Sequence, residues 1–409
     1  MADRTIRVAV IGAGMAGRAH AAGYRNLHSL YGDAVPKVKL VAIADANRPL
    51  AADLAGKFEV ERVETDWEAI AEADDVDAVS VVLPNSEHRH VVEGLAARGK
   101  AILCEKPAAR TAPEAMAMAT VVARAGVIAN VAFTHRFAPP IAAVRHLIAS
   151  GRLGAPRQLM SRYLADHGRD PGVPFAWRHD LALAGGGSLV DLGAHNLEAA
   201  RYLLGDVRAI RGAVLSIRIP TRRLARVATK GHEKAALSDE TRPVTTDDEA
   251  MFLAEFESGC IGVFTTSRVA TGFKNATGFV LVGSEASASF DWERLAEFSW
   301  ADGSAEPYTE GWTRVLLGAQ HPYLAEGLVM PVAGVGFGLG DAFTFQAADF
   351  VTAVASNTPS SIASSFADGV ENALVLDAVK RAAAEGVSVM IADERRRAEA
   401  ALAAEGARR

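Results

Sequence analysis

The 409-residue chain has few cysteines, no excess of positive charge and no long apolar run. Its two cysteines, Cys104 and Cys260, stand far apart outside any CxxC or Cys/His spacing, which argues against a disulfide framework or zinc site and suits a reducing cytoplasm. The net charge of −6 gives no basic field for nucleic acid or acidic lipid. No apolar run approaches the roughly 20 residues of a membrane helix, and a strand predicted from Ile6 leaves no room for a signal peptide. We expect a soluble cytoplasmic protein without nucleic-acid or membrane partners.

Apolar runs and helical patterns alternate in the first third of the chain. "IRVAVIGAG", "KLVAIADA", "DAVSVVLP", "KAILCEKP" and "GVIANVAFTHRF" are predicted strands separated by helices, a pattern typical of a parallel sheet covered on both faces. After about Phe137 the strands are longer and alternate in polarity, and "SGC" between two of them indicates a hairpin. This part predicts an α+β domain with a large, mostly antiparallel sheet.

A glycine-rich turn follows the first predicted strand in "VAVIGAGMAGRAH". In this GxGxxG pattern Gly12 permits a tight turn, Gly14 lets the backbone approach a pyrophosphate, and Gly17 permits close helix packing. Met15 and Ala16 begin the helix, whose N-terminal N–H groups can bind phosphate. The strand–turn–helix context predicts a dinucleotide site.

The second predicted strand ends in Asp45, and this residue bears on the choice of cofactor. An acid at that point can accept hydrogen bonds from the ribose hydroxyls and repels a 2′-phosphate, which favours NAD. Arg48 keeps NADP open as the less favoured cofactor, because an arginine there can bind the additional phosphate. The alternative is that Asp45 only caps a turn.

Two later strands end in polar residues, where ligands of open α/β sheets bind. "VLPNSEHRH" supplies Pro84, Asn85 and His88, and "ILCEKPAA" supplies Glu105 and Lys106. The following proline favours an extended backbone at the lysine and allows a cis peptide bond. A buried lysine needs a partner or a function. The alternative, a surface ion pair between Glu105 and Lys106, is disfavoured because neighbours on a strand point to opposite faces.

The segment "GGGSLVDLGAHNLEAARYLLG" places Asp191 and His195 four residues apart, so that both can point into one cleft from a helix face. We interpret the glycines at 185–187 as removing side chains where the helix start meets a ligand. Ser188 is expected to cap this helix.

Four motifs together resemble the glucose–fructose oxidoreductase, inositol dehydrogenase and rhizopine-catabolism (Gfo/Idh/MocA) family. They are the GxGxxG turn, P-N-x-x-H at 84–88, E-K-P at 105–107 and G-G-G-x-L-x-D-x-G-x-H at 185–195, and the resemblance spans almost the whole chain. It implies a Rossmann domain followed by an α/β domain whose open sheet forms a subunit interface. We therefore expect a homo-oligomer, a dimer or a tetramer.

The resemblance also implies catalytic roles. In the family the lysine of E-K-P and the acid and histidine of D-x-G-x-H meet beside the nicotinamide, which makes Lys106, Asp191 and His195 the catalytic set. His195 would act as general base and Lys106 would stabilise the substrate oxygen, while Asp191 orients the hydroxyl or His195. Glu198 stands where the family often has aspartate, which bears on how a substrate hydroxyl is held.

Further site residues follow from the same resemblance. "FAWRHD" matches a W-R element near the nicotinamide or substrate, and Arg136 in "THRF" matches a position facing the site; a cation packed on an aromatic ring or paired with a carboxylate is the alternative for each arginine. Expected substrate contacts are Lys106, Arg136, Tyr163, Arg178, Asp191 and His195. Expected cofactor contacts are Gly12, Gly14, Met15, Ala16, Gly17, Asp45, Arg48, Pro84, Asn85, His88, Glu105, Lys106, Trp177 and Arg178. No metal site is expected.

These residues predict an NAD-dependent oxidoreductase acting on a secondary hydroxyl of a sugar, glycoside or cyclitol. The alternative implied by the family is an NAD-dependent glycoside hydrolase that oxidises a ring hydroxyl transiently, eliminates the aglycone, adds water and re-reduces. That reaction needs an additional base, for which Tyr163, His167 and His179 are candidates. Arg162, Arg169 and Arg178 leave room for an anionic, for example sulfonated, sugar. A catalytically silent NAD-binding sensor is the weakest hypothesis, because the whole catalytic set is present.

We divide the chain into a Rossmann NAD-binding domain (1–136), a substrate-binding and oligomerisation domain (137–392) and a charged tail (393–409) interpreted as a frayed helix. An excursion at 218–248, longer than a hairpin needs, is interpreted as a solvated loop. The alternative is that its cations cover a neighbouring subunit's site or meet an anionic substrate.

Overall fold

A computed structural model describes residues 5–226, 235–321 and 327–407. Its first sheet has seven strands, numbered here in chain order through the whole protein: β1 (Ile6–Ile11), β2 (Val38–Ala44), β3 (Arg62–Glu64), β4 (Ala78–Val81), β5 (Ala101–Glu105), β6 (Ala129–Ala132) and β17 (Ser364–Ser365). The order is β17-β6-β5-β4-β1-β2-β3, and every pairing is parallel except that of β17 with β6. All residues of β4 and β5 are buried, as expected for strands covered on both faces. The predicted parallel sheet is confirmed.

Helices connect these strands and cover the sheet. Those within the first third are Met15–Tyr31, Arg48–Lys57, Glu68–Ala71, Asn85–Ala97 and Ala112–Ala125. Two helices from late in the chain, Leu339–Ser356 and Phe366–Glu385, also pack in this region. Gly23 is a point of close approach, since a Cβ there would lie 2.9 Å from the carbonyl oxygen of Phe343. Thus β17 and these two helices, which come from beyond residue 136, also belong to the region of the first sheet. The boundary at residue 136 between a Rossmann domain and a second domain stays a proposal.

The second sheet has nine strands in the order β16-β15-β14-β13-β7-β12-β11-β8-β18. Their bounds are β7 (Pro156–Leu164), β8 (Val207–Ser216), β11 (Glu249–Phe256), β12 (Ile261–Ser267), β13 (Ala276–Gly283), β14 (Ala286–Asp291), β15 (Glu297–Asp302), β16 (Trp312–Leu316) and β18 (Val389–Met390). Among the described pairings of this sheet, only that of β7 with β12 is parallel. Further α-helices of the described part are Pro139–Ala149, Leu181–Ala184, Ala194–Leu204 and Ile391–Gly406. The large, mostly antiparallel sheet and the β11–β12 hairpin are confirmed.

The excursion at 218–248 differs from the solvated loop that we predicted. Its described part is a two-stranded antiparallel hairpin, β9 (Thr221–Ala225) with β10 (Leu237–Pro243); residues 227–234 lie outside the described residues. Arg222 is 1% exposed and donates to the carbonyl oxygens of Asp170 and Val173 at 3.0 and 3.1 Å. Arg222 of the hairpin thus holds the loop that contains Asp170 and Val173. This contact explains why the polar excursion packs against the protein and is not a solvated loop.

The C-terminal segment is also more ordered than predicted. It is helical over Ile391–Gly406 and packed, with Ile391 and Ala398 buried. Glu405 pairs with Arg89 at 3.0 Å, and Glu394 pairs with Arg381 at 2.8 Å. Its other described alanines are exposed, so the helix packs through a narrow face around Ile391, Glu394 and Ala398. Within the described residues, no helix is long and apolar enough to cross a membrane.

Candidate active site

A cavity of about 930 Å³ opens at the carboxyl ends of β1, β2, β4 and β5 and extends to the second sheet. This is the edge of a parallel sheet where ligands bind. Of the predicted cofactor residues, the cavity is lined by Gly12, Gly14, Met15, Ala16, Asp45, Pro84, Asn85, Glu105, Lys106, Trp177 and Arg178. Of the predicted substrate residues it is lined by Lys106, Tyr163, Arg178, Asp191 and His195. The fold therefore brings most of the predicted residues together.

The glycine-rich turn has the geometry that its pattern predicts. Gly12 has a φ of +106°, and a Cβ there would lie 1.9 Å from the carbonyl oxygen of Val82. Gly17, predicted as a cofactor contact, does not line the cavity; it allows close packing in the turn, since a Cβ there would lie 1.9 Å from the carbonyl oxygen of Gly12. A Cβ on Gly14, in contrast, would meet no described atom within 4 Å, which fits a position open to the cavity. The first N–H groups of the helix from Met15 have no intrahelical acceptor and suit a pyrophosphate.

Asp45 lies in the cavity wall with both carboxylate oxygens engaged by the backbone. Oδ2 accepts from the N–H of Ala13 and Oδ1 from the N–H of Asn47, each at 2.8 Å. Each oxygen keeps a lone pair for a ribose hydroxyl. Arg48 does not line the cavity; it is exposed in the first turn of the next helix. The structure therefore gives no support to Arg48 as a cofactor contact.

Asn85 and His88 of the P-N-x-x-H motif have different roles. Asn85 lines the cavity and donates through Nδ2 to the carbonyl oxygen of Ala184 at 2.8 Å. His88 is fully buried away from it, with Nε2 at 3.0 Å from the Leu83 carbonyl oxygen and Nδ1 at 3.0 Å from that of Pro107. We predicted His88 to contact the cofactor, and this is corrected: its hydrogen bonds connect the loop after β4 with the loop after β5.

Lys106 reaches across the cavity to the second half of the protein. Its Nζ donates to the carbonyl oxygen of Asp191 at 2.8 Å and to Oδ1 of the same residue at 2.9 Å, and its bond to Pro107 is cis. Glu105 makes no surface pair with this ammonium, because its carboxylate accepts from the backbone N–H of Lys106 and faces His20. An ammonium has three donors, so one is left for a substrate oxygen.

Asp191 stands in a π-helical turn, Leu189–Gly193, which leads into the helix from Ala194. Such turns occur mostly as single insertions at functional sites. Its Oδ2 lies 3.7 Å from Nε of Arg178, so the carboxylate contacts two cations. Asp191 and His195 do line the same cavity, although through this wider turn and not a regular helix face.

The glycines before Asp191 serve packing, contrary to our interpretation. A Cβ on Gly187 would lie 1.8 Å from the carbonyl oxygen of Asp247, and one on Gly185 would lie 2.7 Å from Cα of Arg110. Neither lines the cavity. The neighbouring backbones lie so close to these two glycines that no side chain fits there. Packing, and not a ligand, therefore explains the need for glycine.

The helix cap is also different from the one we predicted. Ser188 has helical dihedral angles and makes no cap of its own. The carboxylate of Asp247, at the return of the 218–248 excursion, accepts from the N–H groups of Gly187 and Leu189 at 2.7 and 2.8 Å and from Oγ of Ser188 at 3.0 Å. An acid from a distant segment thus accepts hydrogen bonds from the free N–H groups at the start of the turn that carries Asp191.

His195 belongs to a stack of rings. His135 lies 4.0 Å from it between ring centroids, and Trp292 lies 3.9 Å from His135. Burial, then His135 and the Lys106 ammonium, lower the pKa of His195 well below its ordinary value, and Asp191 offsets only part of this. Burial and Lys106 lower the pKa of His135 to about 3. Nδ1 of His195 is buried without a hydrogen-bond partner among the described residues, so a neutral ring keeps a free position for a proton.

The two arginines that we predicted to contact the substrate differ in their position relative to the cavity. Arg178 lines the cavity and packs over the Trp177 ring at 4.3 Å. Arg136 does not; it is buried and pairs with Glu198 and with Asp368. We correct Arg136 from a substrate contact to a partner of Glu198, so neither of these two residues holds substrate.

The residues proposed for the hydrolase alternative are also dispersed. Arg162 pairs with Asp291 at 3.2 Å and Arg169 with Asp166 at 3.7 Å, and neither lines the cavity. His179 is buried outside the cavity wall, and its Nδ1 accepts from the N–H of Ala176 at 2.9 Å. His167 and Tyr163 do line it.

Several lining residues were missed. His135 could have been found, because it follows β6 and ligands gather at such strand ends; we selected its neighbour Arg136 instead. Asn275, which accepts from the Tyr163 hydroxyl at 2.9 Å, directly precedes β13, and Trp292 directly follows β14; no local motif marks either residue. Among the described residues no group of three or more histidine, cysteine or acidic side chains could hold a metal ion.

Fold and cavity together define a dinucleotide-binding protein. The turn at Gly12–Gly17 offers a helix N-terminus, Gly14 leaves room for a ligand, and Asp45 offers free acceptors for a ribose. These donors and acceptors fit NAD.

Two family models match the chain, the "oxidoreductase family, NAD-binding Rossmann fold" over residues 6–133 and the "GFO/IDH/MocA C-terminal domain" over residues 141–289. The chain belongs to the Gfo/Idh/MocA oxidoreductase family. Its first sheet is an NAD-binding Rossmann fold, and its named relatives include sugar and polyol dehydrogenases.

Two relatives illustrate the similarity in sequence. Levoglucosan dehydrogenase from Pseudarthrobacter phenanthrenivorans is 34% identical over 93% of this chain and 97% of its own length. The scyllo-inositol 2-dehydrogenase (NAD(+)) of Bacillus subtilis is 30% identical over 65% of this chain and 68% of its own. A solved structure of levoglucosan dehydrogenase in complex with NADH has a TM-score of 0.88, 34% identity, and coverage of 95% of this chain and 99% of that chain.

Proposed function

We propose that the protein oxidises a secondary hydroxyl of a sugar, glycoside or cyclitol with NAD. The observation that carries this is the meeting of Lys106, Asp191 and His195 in one cavity with the dinucleotide-binding turn. The relatives named for levoglucosan and scyllo-inositol support a polyhydroxylated ring as substrate.

His195 is the general base in this proposal. Its lowered pKa keeps the imidazole neutral near pH 7, and a neutral imidazole can accept the hydroxyl proton. The stacked His135 is also neutral, with a pKa of about 3, and is one of the groups that hold the pKa of His195 low. The hydride acceptor for the substrate carbon would be supplied by NAD bound along the glycine turn and Asp45.

Lys106 holds the substrate oxygen through its remaining donor and stabilises the negative charge that develops as the proton leaves. Asp191 fixes the direction of this ammonium through two hydrogen bonds. It also contacts Arg178, which closes the cavity wall beside Trp177. Each residue thus has a role that its contacts support.

NAD is the preferred cofactor over NADP in this proposal. Asp45 presents a carboxylate where the additional phosphate of NADP would carry negative charge. Arg48, the residue that kept NADP open, is exposed outside the cavity.

The glycoside hydrolase alternative keeps one supporting observation. His167 lines the cavity, and burial lowers its pKa, so it can act as an additional base. Tyr163 is poorly suited, because burial and Asp191 raise the pKa of its hydroxyl. Incubation with a glycoside and less than one equivalent of NAD separates the two reactions, since a hydrolase returns the hydride and accumulates no NADH.

A homo-oligomer that buries the open face of the second sheet is part of the proposal. Met251 pairs across the sheet with Val214, and Leu253 pairs with Val263, which pairs in turn with Met160. All five side chains are exposed, forming one apolar strip of the kind that marks protein interfaces. Light scattering of Met251→Glu against wild type tests it, and an unchanged mass would contradict it.

We place the protein in the cytoplasm. Cys104 and Cys260 are both free thiols and buried, which suits a reducing compartment.

The first experiment is a thermal-shift screen of the NAD-loaded protein against sugars, cyclitols, glycosides and sulfonated or carboxylated sugars. A hit is then assayed for NADH formation with wild type and with Lys106→Ala. Stabilisation by a polyol together with lysine-dependent NADH formation supports the proposal. Turnover that survives Lys106→Ala would contradict the assigned role.

A further inference from the structure

Glu105 is a buried carboxylate in the cavity wall. Its side chain precedes Lys106 and lines the same cavity, yet the residue is only 9% exposed. Oε2 accepts from the backbone N–H of Lys106, and Oε1 lies 3.0 Å from Nε2 of His20. The proposed reaction gives this carboxylate no role in proton transfer.

A chain of buried polar groups ends at this carboxylate. The Tyr24 hydroxyl lies 2.9 Å from Oγ of Ser80, and Ser80 lies 3.0 Å from Nδ1 of His20. If Tyr24 donates to Ser80, Ser80 donates to Nδ1 and Nε2–H of His20 donates to Glu105, every hydrogen in the chain has an acceptor among the described residues. In this arrangement the carboxylate of Glu105 only accepts hydrogen bonds, as an ionised carboxylate does.

The carboxylate stays ionised despite its burial. Burial by itself raises the pKa of Glu105, but the hydrogen bond with His20 and the neighbouring Lys106 more than offset it, so that the pKa lies below its ordinary value. A buried anion is costly unless several donors surround it. A carboxylate that stays ionised in the cavity wall can interact with a charge inside the cavity.

The cavity end that holds Glu105 also holds Lys106 and Asp191, the groups of the proposed reaction. The nicotinamide ring must therefore lie at this end if the proposed function is right, and the inference rests on it to that extent. The ring carries a positive charge when oxidised and none when reduced. Lys106 and Arg178 both pair with the carboxylate of Asp191. Glu105 is the second carboxylate at this end of the cavity, and it can attract the positive charge of the oxidised ring.

We propose that Glu105, held by His20, selects the oxidation state of the bound cofactor by favouring the oxidised ring over the reduced one. The carboxylate attracts a cationic ring and leaves a neutral ring unaffected. A unit charge several ångströms away in a partly buried site has an effect large enough to measure. The protein thus binds NAD⁺ more tightly, relative to NADH, than it would without the charge.

The test compares the dissociation constants of NAD⁺ and NADH, measured by fluorescence titration, in wild type and Glu105→Gln. We expect the ratio of the NAD⁺ constant to the NADH constant to rise about tenfold, equivalent to ~1.4 kcal/mol. Glu105→Met, also neutral and of similar length, gives the same direction should the first variant fail to fold. Glu105→Asp keeps the charge and is expected to keep the ratio nearer to wild type.

Asp45→Asn is the matched control, because it removes the same charge at the other end of the cavity. It should weaken both forms alike and leave the ratio within about twofold, since the adenosine half does not change charge. An unchanged ratio in folded Glu105→Gln that still binds both forms would overturn this inference alone. Failure of the wild-type protein to bind either form would overturn the proposed function instead.

Discussion

Replacement of Asp247 by alanine should destabilise the protein strongly and impair a site that this residue does not touch. Its carboxylate accepts three hydrogen bonds, from the N–H groups of Gly187 and Leu189 and from the Ser188 hydroxyl, and the residue is 7% exposed. A buried donor left without an acceptor costs about 1–3 kcal/mol. Three such donors give an expected loss of ~3 kcal/mol or more in the free energy of unfolding.

Urea unfolding measures this loss, and turnover measured under native conditions reports on the site. Because Asp191 lies in the turn that Asp247 caps, we expect turnover to fall even where the variant is folded. Asp247→Asn keeps one acceptor oxygen and should fall between alanine and wild type. Asp239→Asn, an exposed acid in the same excursion, is the control and should change neither quantity. A loss below about 1 kcal/mol in Asp247→Ala would refute the capping role.

The other predictions concern cofactor choice, catalysis and pH. NAD(H) should bind at least about tenfold more tightly than NADP(H), ~1.4 kcal/mol, because Asp45 opposes the phosphate; equal constants in fluorescence titrations would contradict this. Lys106→Ala and His195→Ala should each lower turnover by ~10² or more with little change in NAD affinity, and near-normal turnover of either variant would argue against its role. The pKa of His135 is about 3 in the folded protein against 6.5 ordinarily, so the unfolded chain binds its proton first as the pH falls. The stability from its neutral form is complete above pH 6.5 and should decline by about 1.4 kcal/mol per pH unit towards pH 3; His135→Phe should make urea unfolding less sensitive to pH in this range, and an unaltered slope would contradict the assignment.

Local patterns predicted the first half of the fold well. The glycine turn and the buried strands depend on near neighbours in the chain, so Gly12, Gly17 and Asp45 could be interpreted from spacing alone. The motif resemblance then brought Lys106 and Asp191 together from segments that no periodicity connects.

The errors arose where distant segments meet. The glycines at 185–187 are explained by the backbones of Arg110 and Asp247, which the sequence around them does not reveal. Arg136 was chosen over His135, although the two are adjacent, because a local pattern does not show which side chain turns towards a buried acid such as Glu198. The alanine-rich C-terminal helix was interpreted as frayed because its packing partners lie far back in the chain.

The reaction that we propose is net oxidation of a carbohydrate hydroxyl by Lys106, Asp191 and His195. The most direct measurement is the amount of NADH formed per molecule of product when an accepted sugar, glycoside or cyclitol is incubated with NAD. We predict one NADH for each oxidised product in the wild-type protein and almost none with His195→Ala. Repeated release of an aglycone from a glycoside with catalytic NAD, and no accumulation of NADH, would contradict the claim.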